Sequence, residues 1–404
     1  MSNSLLTLNM ITREAIRLYR NSNAFIMNVD RQYDNQFERQ GAKIGNTLRV
    51  RYPNDFTVTT SGVTAVPQST NEQYTNLTLS RQDHVDLTYS SQDLSLSLDD
   101  FSKRVLAPAV NNLAGTIASY VMSGAESISN YVSKTSAGAV ITPTATEWLT
   151  AKAYLTMQSA PKGLKAVLDP LTQARTVSTL SGLFNPTGTI AKQYVDGEVM
   201  GPALGIGEWM TDQTVIKHTT AAYGTLPTVS GANQTGSSIT VSTTTAPLNQ
   251  GDIITFAGVY SVNRVTKNSN GTLAQFVVTA PVAIGATSIP IYPALIPPSG
   301  GNAVQYQTVT ASPANGAAIT CVNQASEIYR KNFVYSPQAV VLATGALEMP
   351  RGVHDAARES YDGISLRMVS QYDITSDQFI TRLDCLYGWT WVRPEWACVV
   401  ADAL

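Results

Sequence analysis

Charged side chains are scarce in this sequence. Asp, Glu, Lys and Arg make up 14% of the 404 residues, whereas roughly 25% is usual for a soluble globular protein. The surface must therefore consist largely of uncharged polar side chains and backbone, which suits burial against neighbouring protein. With 27 basic and 29 acidic residues, the chain also lacks the positive field that would draw it onto nucleic acid or an acidic membrane.

Segments for export or membrane insertion are also missing. No run reaches the roughly 18 consecutive apolar residues that span a bilayer. Arg13 and Glu14 follow only a few apolar residues, so no signal-peptide core is present, and we expect folding in the cytoplasm. The three cysteines match no metal-knuckle spacing and are expected to be buried free thiols. They are Cys321, Cys385 and Cys398.

The sequence offers no set of residues typical of catalysis. Its three histidines, His84, His218 and His354, lie in unrelated segments without the close companions that a metal site or a catalytic dyad favours. Phosphate-binding loops and nucleophile elbows are absent. Carboxylates at Asp99–Asp100 and in HDAARESYD (354–362) could in principle form a glycosidase pair, but helix starts and solvated faces explain them better. We therefore predict no enzyme activity, no cofactor and no metal.

The first 90 residues predict an arm followed by an extended loop. Apolar residues recur at helical spacing from Asn9 onward, which indicates a short amphipathic helix. Residues 47–60 and 74–90 each alternate apolar and polar, and a turn-rich stretch separates them. This pattern predicts a long, projecting pair of strands. Because an isolated strand pair is marginal in water, another subunit is expected to cover it.

A long helix is predicted over roughly 98–131, with Pro108 either kinking it or opening a second helical piece. The following segment, 146–221, alternates helix and strand, which indicates a mixed core. Its predicted elements are helices at 146–158, 171–183 and 188–197, a strand at Lys165–Leu168 and strand-like sequence at 208–219.

Residues 222–323 differ sharply in composition. Asp252, Arg264 and Lys267 are their only charged residues, and short β-rich runs alternate with turn signals. The runs are SSITVSTTT, GDIITFAG, VYSVNRVT, LAQFVVTA, SIPIY and AVQYQTVT. This all-β pattern within an α/β chain predicts an inserted barrel. A barrel that binds single-stranded nucleic acid would need a basic groove, which two basic residues cannot supply.

Three collinear segments resemble the coat-protein family of a Salmonella short-tailed phage. GDIITFAGVYSVNRVTKNSNGTLAQFVVT (251–279) is similar to the family's central β motif, with Gly-Asp, an alternating strand and Phe-Ala-Gly-Val in the same order. KNFVYSPQAVVLATGALEMP (331–350) and LYGWTWVRPEWACVV (386–400) resemble the family's return into its main domain. The resemblance implies an α+β major capsid protein with the Hong-Kong-97-type fold.

In that fold the resemblance implies seven segments. They are an N-terminal arm (1–41), an extended loop with peripheral strands (42–97), a spine helix with peripheral domain (98–144), a first axial part (145–221), an inserted β-barrel (222–323), a second axial part (324–360) and peripheral β elements (361–404). The implied partners are copies of the chain in pentamers and hexamers, scaffolding and portal proteins, and packaged double-stranded DNA contacted non-specifically. The implied location is the virion, assembled in the host cytoplasm without a membrane.

The extended loop supplies the candidate contacts between subunits. We predict that it lies over a neighbouring subunit, with Phe56, Val58 and Val66 as anchors. The alternative is that these residues face their own core.

Two further groups of residues are predicted to be structural. Ile253, Ile254 and Phe256 are expected to build the core of the barrel rather than to contact a partner. The C-terminal motif contains Arg393 and Pro394, which resemble the family's Arg-Pro pair, and the tryptophans expected to pack beneath the shell. These are Trp389, Trp391 and Trp396. A carbohydrate-binding or adhesin-like β protein is the alternative function, but it leaves the arm, the long helix and the missing export signal unexplained.

Overall fold

The computed structural model describes residues 8–31, 47–52, 54–58, 73–90, 105–180, 197–199, 201–298, 304–361 and 363–404. The chain divides into two compact units. The first comprises Met1–Val50, Tyr74–Met122 and Val340–Val392, and the second comprises Arg51–Gln73, Ser123–Ala339 and Arg393–Leu404.

Five α-helices and twenty strands are found in these residues. The helices are α1 (Leu8–Ser22), α2 (Ala24–Met27), α3 (Ala107–Met122), α4 (Ala145–Met157) and α5 (Pro170–Leu180). The first ten strands are β1 (Thr47–Arg51), β2 (Tyr74–Thr78), β3 (Arg81–Ser90), β4 (Asn130–Val132), β5 (Lys134–Ser136), β6 (Ala139–Ile141), β7 (Lys165–Leu168), β8 (Glu208–Thr211), β9 (Lys217–Thr219) and β10 (Gly236–Thr240). The others are β11 (Ile253–Val262), β12 (Ser269–Val278), β13 (Ser288–Leu295), β14 (Ile319–Cys321), β15 (Ile328–Tyr335), β16 (Val340–Gly345), β17 (Asp355–Tyr361), β18 (Ile364–Asp373), β19 (Gln378–Trp391) and β20 (Ala397–Ala403).

The first unit is built on an antiparallel sheet in the order β16-β19-β18-β17, and β3 also pairs with β19, along Gln378–Tyr387. Helix α1 is amphipathic as predicted. It buries Ala15, Ile16 and Tyr19, exposes Arg13 and Arg17, and contacts α3, β17 and β18. The described part of the predicted arm therefore packs on its own unit.

The predicted strand pair at 47–60 and 74–90 is wrong in its second half. Strands β1 and β2 do pair, but the chain then leaves the strand conformation at Leu79 and Ser80, and β3 joins the larger sheet. The alternation of apolar and polar residues identifies a strand and its two faces, but it does not identify the neighbouring strand. The pattern at 74–90 therefore could not show that β3 pairs with β19. Residues 59–72, between the two predicted strands, lie outside the described residues.

The predicted long helix ends earlier than expected, and residues 98–104 at its predicted start lie outside the described residues. Helix α3 begins at Ala107, so Pro108 occupies its first turn, where the missing N–H of proline is tolerated. It ends at Met122, is followed by a 3-10 turn at Ser123–Ser127, and gives way to β4. The extension to residue 131 is wrong because Asn130 and its neighbours pair with β20, and the Asn130 side-chain amide donates to the carbonyls of Glu395 and Ala397.

The second unit contains a six-stranded mixed sheet and a five-stranded antiparallel sheet. The mixed sheet has the order β4-β20-β15-β7-β8, with β9 also paired to β15. Helix α4 and strand β7 match their predicted positions. A capping box between Thr144 and Glu147 begins α4, and Trp148, Ala151 and Leu155 bury its inner face against the sheet. The predicted helix at 188–197 falls mainly on residues outside those described.

The five-stranded sheet occupies most of the predicted β segment, in the order β10-β13-β12-β11-β14. Two details of the sequence prediction are wrong. The run AVQYQTVT is not a strand in its described part, since Val304–Tyr306 forms a 3-10 turn. The short strand β14 was not predicted, because three residues are too few for an alternating pattern to be recognised.

Candidate functional site

The described end of the extended loop exposes two large apolar side chains. Phe56 is 61% exposed and Val58 is 87% exposed. Neither faces its own core, which contradicts the alternative considered for them. Val66, the third candidate, lies outside the described residues.

The neighbouring Asp55 fixes this part of the loop in place. Its carboxylate accepts two hydrogen bonds from Arg264, at 2.7 Å from Nη2 and 3.3 Å from Nε. Arg264 lies in the turn between β11 and β12 and is partly buried. This two-point contact holds the backbone beside Phe56, so that the exposed side chain projects from a fixed position.

Glu395 joins this contact to the C-terminal motif. One of its carboxylate oxygens lies 3.4 Å from Arg264 and 3.6 Å from Arg393, and the other accepts a hydrogen bond of 2.8 Å from the Tyr292 hydroxyl. Burial, with the repulsion of Arg264, lowers the pKa of Arg393. We call Asp55, Arg264, Tyr292, Arg393 and Glu395 the Glu395 cluster; it contains two acids and two arginines and is therefore balanced in charge.

Arg393 is also held between aromatic rings. Its guanidinium lies 4.6 Å from the ring centre of Trp396 and 5.0 Å from that of Tyr52. Pro394 is buried and begins a 3-10 turn. Trp389 belongs to the first unit instead, where it is half-buried and meets Tyr120 edge to face at 5.5 Å.

The predicted core residues of the β segment lie in two places. Ile254 and Phe256 belong to the apolar cluster inside the five-stranded sheet, where Phe256 contacts Phe276 at 5.3 Å between ring centres. Ile253 is buried as well but is not part of this cluster. Successive residues of a strand point to opposite faces, which accounts for the difference.

A buried charge cluster, which the sequence reasoning missed, lies where this β segment joins the mixed sheet. His218 Nδ1 is 3.0 Å from Glu126 Oε2, and His218 Nε2 is 3.0 Å from Asp252 Oδ1. Lys331 Nζ lies 2.5 Å from the same Glu126 oxygen and 3.4 Å from the Gly251 carbonyl. Asp252, His218 and Lys331 are almost completely buried. We call these four charged residues the His218 cluster.

The pKa values of His218, Glu126 and Lys331 each reflect burial opposed by a neighbouring charge. Burial alone would lower the pKa of His218, but hydrogen bonds to Asp252 and Glu126 outweigh it and the net shift is upward. Burial would raise the pKa of Glu126, yet Lys331 and His218 lower it. For Lys331 burial dominates and the pKa is lowered.

Both ends of the β segment meet at this cluster. Asp252 Oδ2 accepts hydrogen bonds from the backbone N–H groups of Asn249 (2.8 Å) and Ala221 (3.4 Å). At the other end, Asn323 accepts from the Ile253 N–H at 2.6 Å and donates to the Tyr329 hydroxyl at 2.6 Å. The sequence held one signal for this arrangement: Asp252 is the single acidic residue in an almost uncharged segment.

Among the described residues, no group of three or more His, Cys, Asp or Glu side chains could hold a metal ion. Within the same residues, no helix combines the length and apolar composition needed to cross a membrane. The three cysteines are free thiols, and Cys385 and Cys398 are buried.

Comparisons with known proteins bear on the whole chain. The family model described as "P22 coat protein - gene protein 5" matches residues 72–400, which is most of the sequence. Comparison with curated protein sequences gave no significant match. Among solved structures, Mycobacterium phage Che8 is similar at 11% identity, with 93% of this chain and 90% of that chain covered and a TM-score of 0.46. The capsid of cyanophage P-SCSP1u is similar at 12% identity, with coverage of 89% and 84% and a TM-score of 0.44. The CUS-3 coat protein I-domain is 32% identical over 26% of this chain and 95% of that chain, with a TM-score of 0.19.

Proposed function

Because the chain belongs to the P22 coat protein family, it is a structural major capsid protein of a phage head, and we propose that it assembles through its extended loop. Copies of the chain form a multimeric shell. The finer organisation, with pentamers and hexamers, scaffolding and portal proteins as assembly partners and double-stranded DNA inside, is part of the proposal. So are the virion location with assembly in the host cytoplasm, the Hong-Kong-97-type segment boundaries given above and the absence of catalysis.

The proposal for the loop rests on the exposure of the Phe56 and Val58 side chains. Large apolar side chains on a monomer surface are favourable to bury on association, since about 25 cal/mol is gained per Å² of apolar surface removed from water. Here the backbone is already fixed by the ion pair of Asp55 with Arg264, so less ordering entropy is lost on binding. Many weak contacts of this type allow a shell to correct errors during growth and still persist when complete.

The described part of the arm is not proposed as a main contact between subunits. Helix α1 buries its apolar face within its own unit, so this stretch is not free to reach a neighbour. We therefore attribute contacts between subunits mainly to the loop.

The segment 222–323 is proposed to be an inserted β-barrel domain that supports the subunit. Its apolar cluster draws on all five strands of the sheet or the turns beside them. Isolated bridges add to the sheet, among them Leu248 to Val282 and Ser261 to Val309. A fragment spanning 222–323 is expected to fold alone, and an unfolded fragment by circular dichroism would contradict an autonomous domain.

Electron microscopy of the chain expressed without other phage proteins tests the function as a whole. Closed shells or tubular polyheads are the expected result. Discrete monomers that bind glycans would instead support the carbohydrate-binding alternative.

A near-neutral chain of formal net charge −2 should also show little attraction to free DNA, which filter binding at low salt would measure.

A further inference from the structure

Both ring nitrogens of His218 face carboxylate oxygens. Nδ1 lies 3.0 Å from Glu126 and Nε2 lies 3.0 Å from Asp252. A neutral imidazole carries one N–H, so one of these two contacts would place a nitrogen lone pair against an oxygen lone pair. An imidazolium donates to both carboxylates. With both carboxylates ionised, the geometry therefore favours the doubly protonated ring.

The balance of buried charge leads to the same state. With His218 protonated, Glu126 and Asp252 face two cations, His218 and Lys331. Loss of the imidazole proton would leave an excess negative charge around Asp252, which is completely buried, and an unpaired buried charge is strongly destabilising. Three further titratable side chains near the ring or Asp252 are neutral. Burial raises the pKa values of Tyr329, Tyr223 and Cys321 well above their ordinary values.

The position of Asp252 connects this proton to the join between the β segment and the mixed sheet. Asp252 receives the backbone N–H of Ala221, where the segment begins, and that of Asn249. Next to it, Ile253 is bonded to Asn323, where the segment ends. His218 lies on β9 and Lys331 on β15, both in the mixed sheet. The imidazolium thus joins the two parts at the point where the chain crosses between them.

We propose that His218 acts as a protonated latch, which holds Asp252 and the ends of the 222–323 segment against Glu126 and Lys331, and which opens when alkaline solution removes its proton. This inference concerns a junction inside one subunit and does not depend on the proposed assembly contacts.

The direction of the pH effect follows from the three shifts. The pKa of His218 in the folded chain is raised above 6.5, so its stabilisation is complete below pH 6.5 and is lost as the pH rises through the folded value. Lys331, whose pKa is lowered from 10.5, gives up its proton more readily in the folded than in the unfolded chain, so its own deprotonation offsets part of that loss at alkaline pH. The pKa of Glu126 is lowered from 4.5, so its carboxylate stays ionised until the pH falls below that lowered value. Acid therefore breaks the latch only below pH 4.5.

The protonation state can be measured directly by ¹⁵N NMR of unassembled full-length subunits labelled at histidine. The exposed His84 and His354 give reference signals, and His218→Gln identifies the third set. We expect both nitrogens of His218 to carry protons at pH 6.5 and to titrate with a midpoint above that value. A neutral tautomer at pH 6, or a midpoint below 6.5, would overturn the proposal without any need for a folded variant.

Hydrogen exchange tests whether the proton holds the junction. Amides at 219–223 and 321–325 should lose protection by up to roughly tenfold for each pH unit between pH 6.5 and the His218 midpoint, after correction for intrinsic exchange, and the loss should level off above the midpoint. His218→Gln, which cannot carry the charge, should show reduced protection at every pH and no such added loss. An identical pH-dependent loss in wild type and variant would show that another group controls the junction.

Discussion

Gly251 and Glu126 lie so close together that no side chain fits between them. A Cβ atom at Gly251 would be 1.7 Å from Glu126 Oε2 and 2.9 Å from His218 Cε1. The Glu126 carboxylate is held by Lys331 and His218, so it cannot move aside without breaking those contacts. The backbone at Gly251 also has a φ of +92°, a conformation that favours glycine. The lack of room for a Cβ atom and the positive φ therefore both favour glycine at position 251.

Gly251→Ala should destabilise the subunit more than a matched glycine replacement. Gly285 provides the match, since its φ is +90° and nothing lies within 4 Å of its added Cβ. Both variants carry the strain of a positive φ, of about 1–3 kcal/mol. Gly251→Ala should lose roughly a further 2 kcal/mol because it disrupts buried hydrogen bonds. Urea unfolding of unassembled subunits measures the difference, and equal losses would mean that Glu126 relaxes freely.

Glu126→Gln should lower the free energy of unfolding by about 3–5 kcal/mol, because it leaves Lys331 and His218 with one buried carboxylate between them. Adding Lys331→Met should recover part of this loss, since the excess cation is removed. The control is Glu208→Gln, which breaks a more exposed pair with Lys165 at 2.8 Å and should cost less than about 1 kcal/mol. Additive effects in the double variant would contradict the coupling of Glu126 to Lys331.

Arg393→Lys should reduce stability by roughly 1–2 kcal/mol although it keeps the charge. A lysine ammonium cannot stack flat on Trp396 and Tyr52 as the guanidinium does. Arg382→Lys is the comparison, because Arg382 binds Asp86 at 2.8 Å on an exposed surface and should tolerate the change. Thermal unfolding measures the loss of stability in both variants. An equal loss in the two would contradict the role assigned to the aromatic rings.

Phe56→Ser combined with Val58→Ser should impair shell assembly while the subunit stays folded. Both side chains are exposed, so their loss should leave the unfolding transition almost unchanged. The conservative pair Phe56→Leu and Val58→Ile keeps the apolar surface and should assemble normally. Light scattering follows assembly and circular dichroism follows folding. Normal assembly of the serine variant would exclude these residues as contacts between subunits.

Local sequence signals predicted local structure well. Helix α4 and strand β7 were predicted at 146–158 and Lys165–Leu168 and lie at Ala145–Met157 and Lys165–Leu168, because the signals for such elements lie within the element itself. The position of Pro108 likewise indicated where a helical piece begins. In each case short-range geometry determines the outcome.

Partners distant in sequence were not predictable in the same way. The alternating residues of β3 would suit many neighbouring strands, so β19 was not identified. The His218 cluster draws Glu126, His218, Asp252 and Lys331 from four separate segments, and no spacing rule connects them. The sequence shows that Asp252 is the single acidic residue of its segment, but only the fold shows which residues it contacts.

The pairing of β3 with β19 has a consequence for the order of events during synthesis. Ser90 lies opposite Gln378 and Arg81 lies opposite Tyr387, so β3 leaves the ribosome long before its partner exists. By contrast, β11 and β12 are adjacent hairpin strands and can pair as soon as they emerge. Contacts of long sequence separation form slowly, and their unpaired edges promote aggregation in the meantime. Nascent chains that end before residue 378 should therefore depend on chaperones for solubility, and chains extended past residue 391 should be released from that dependence.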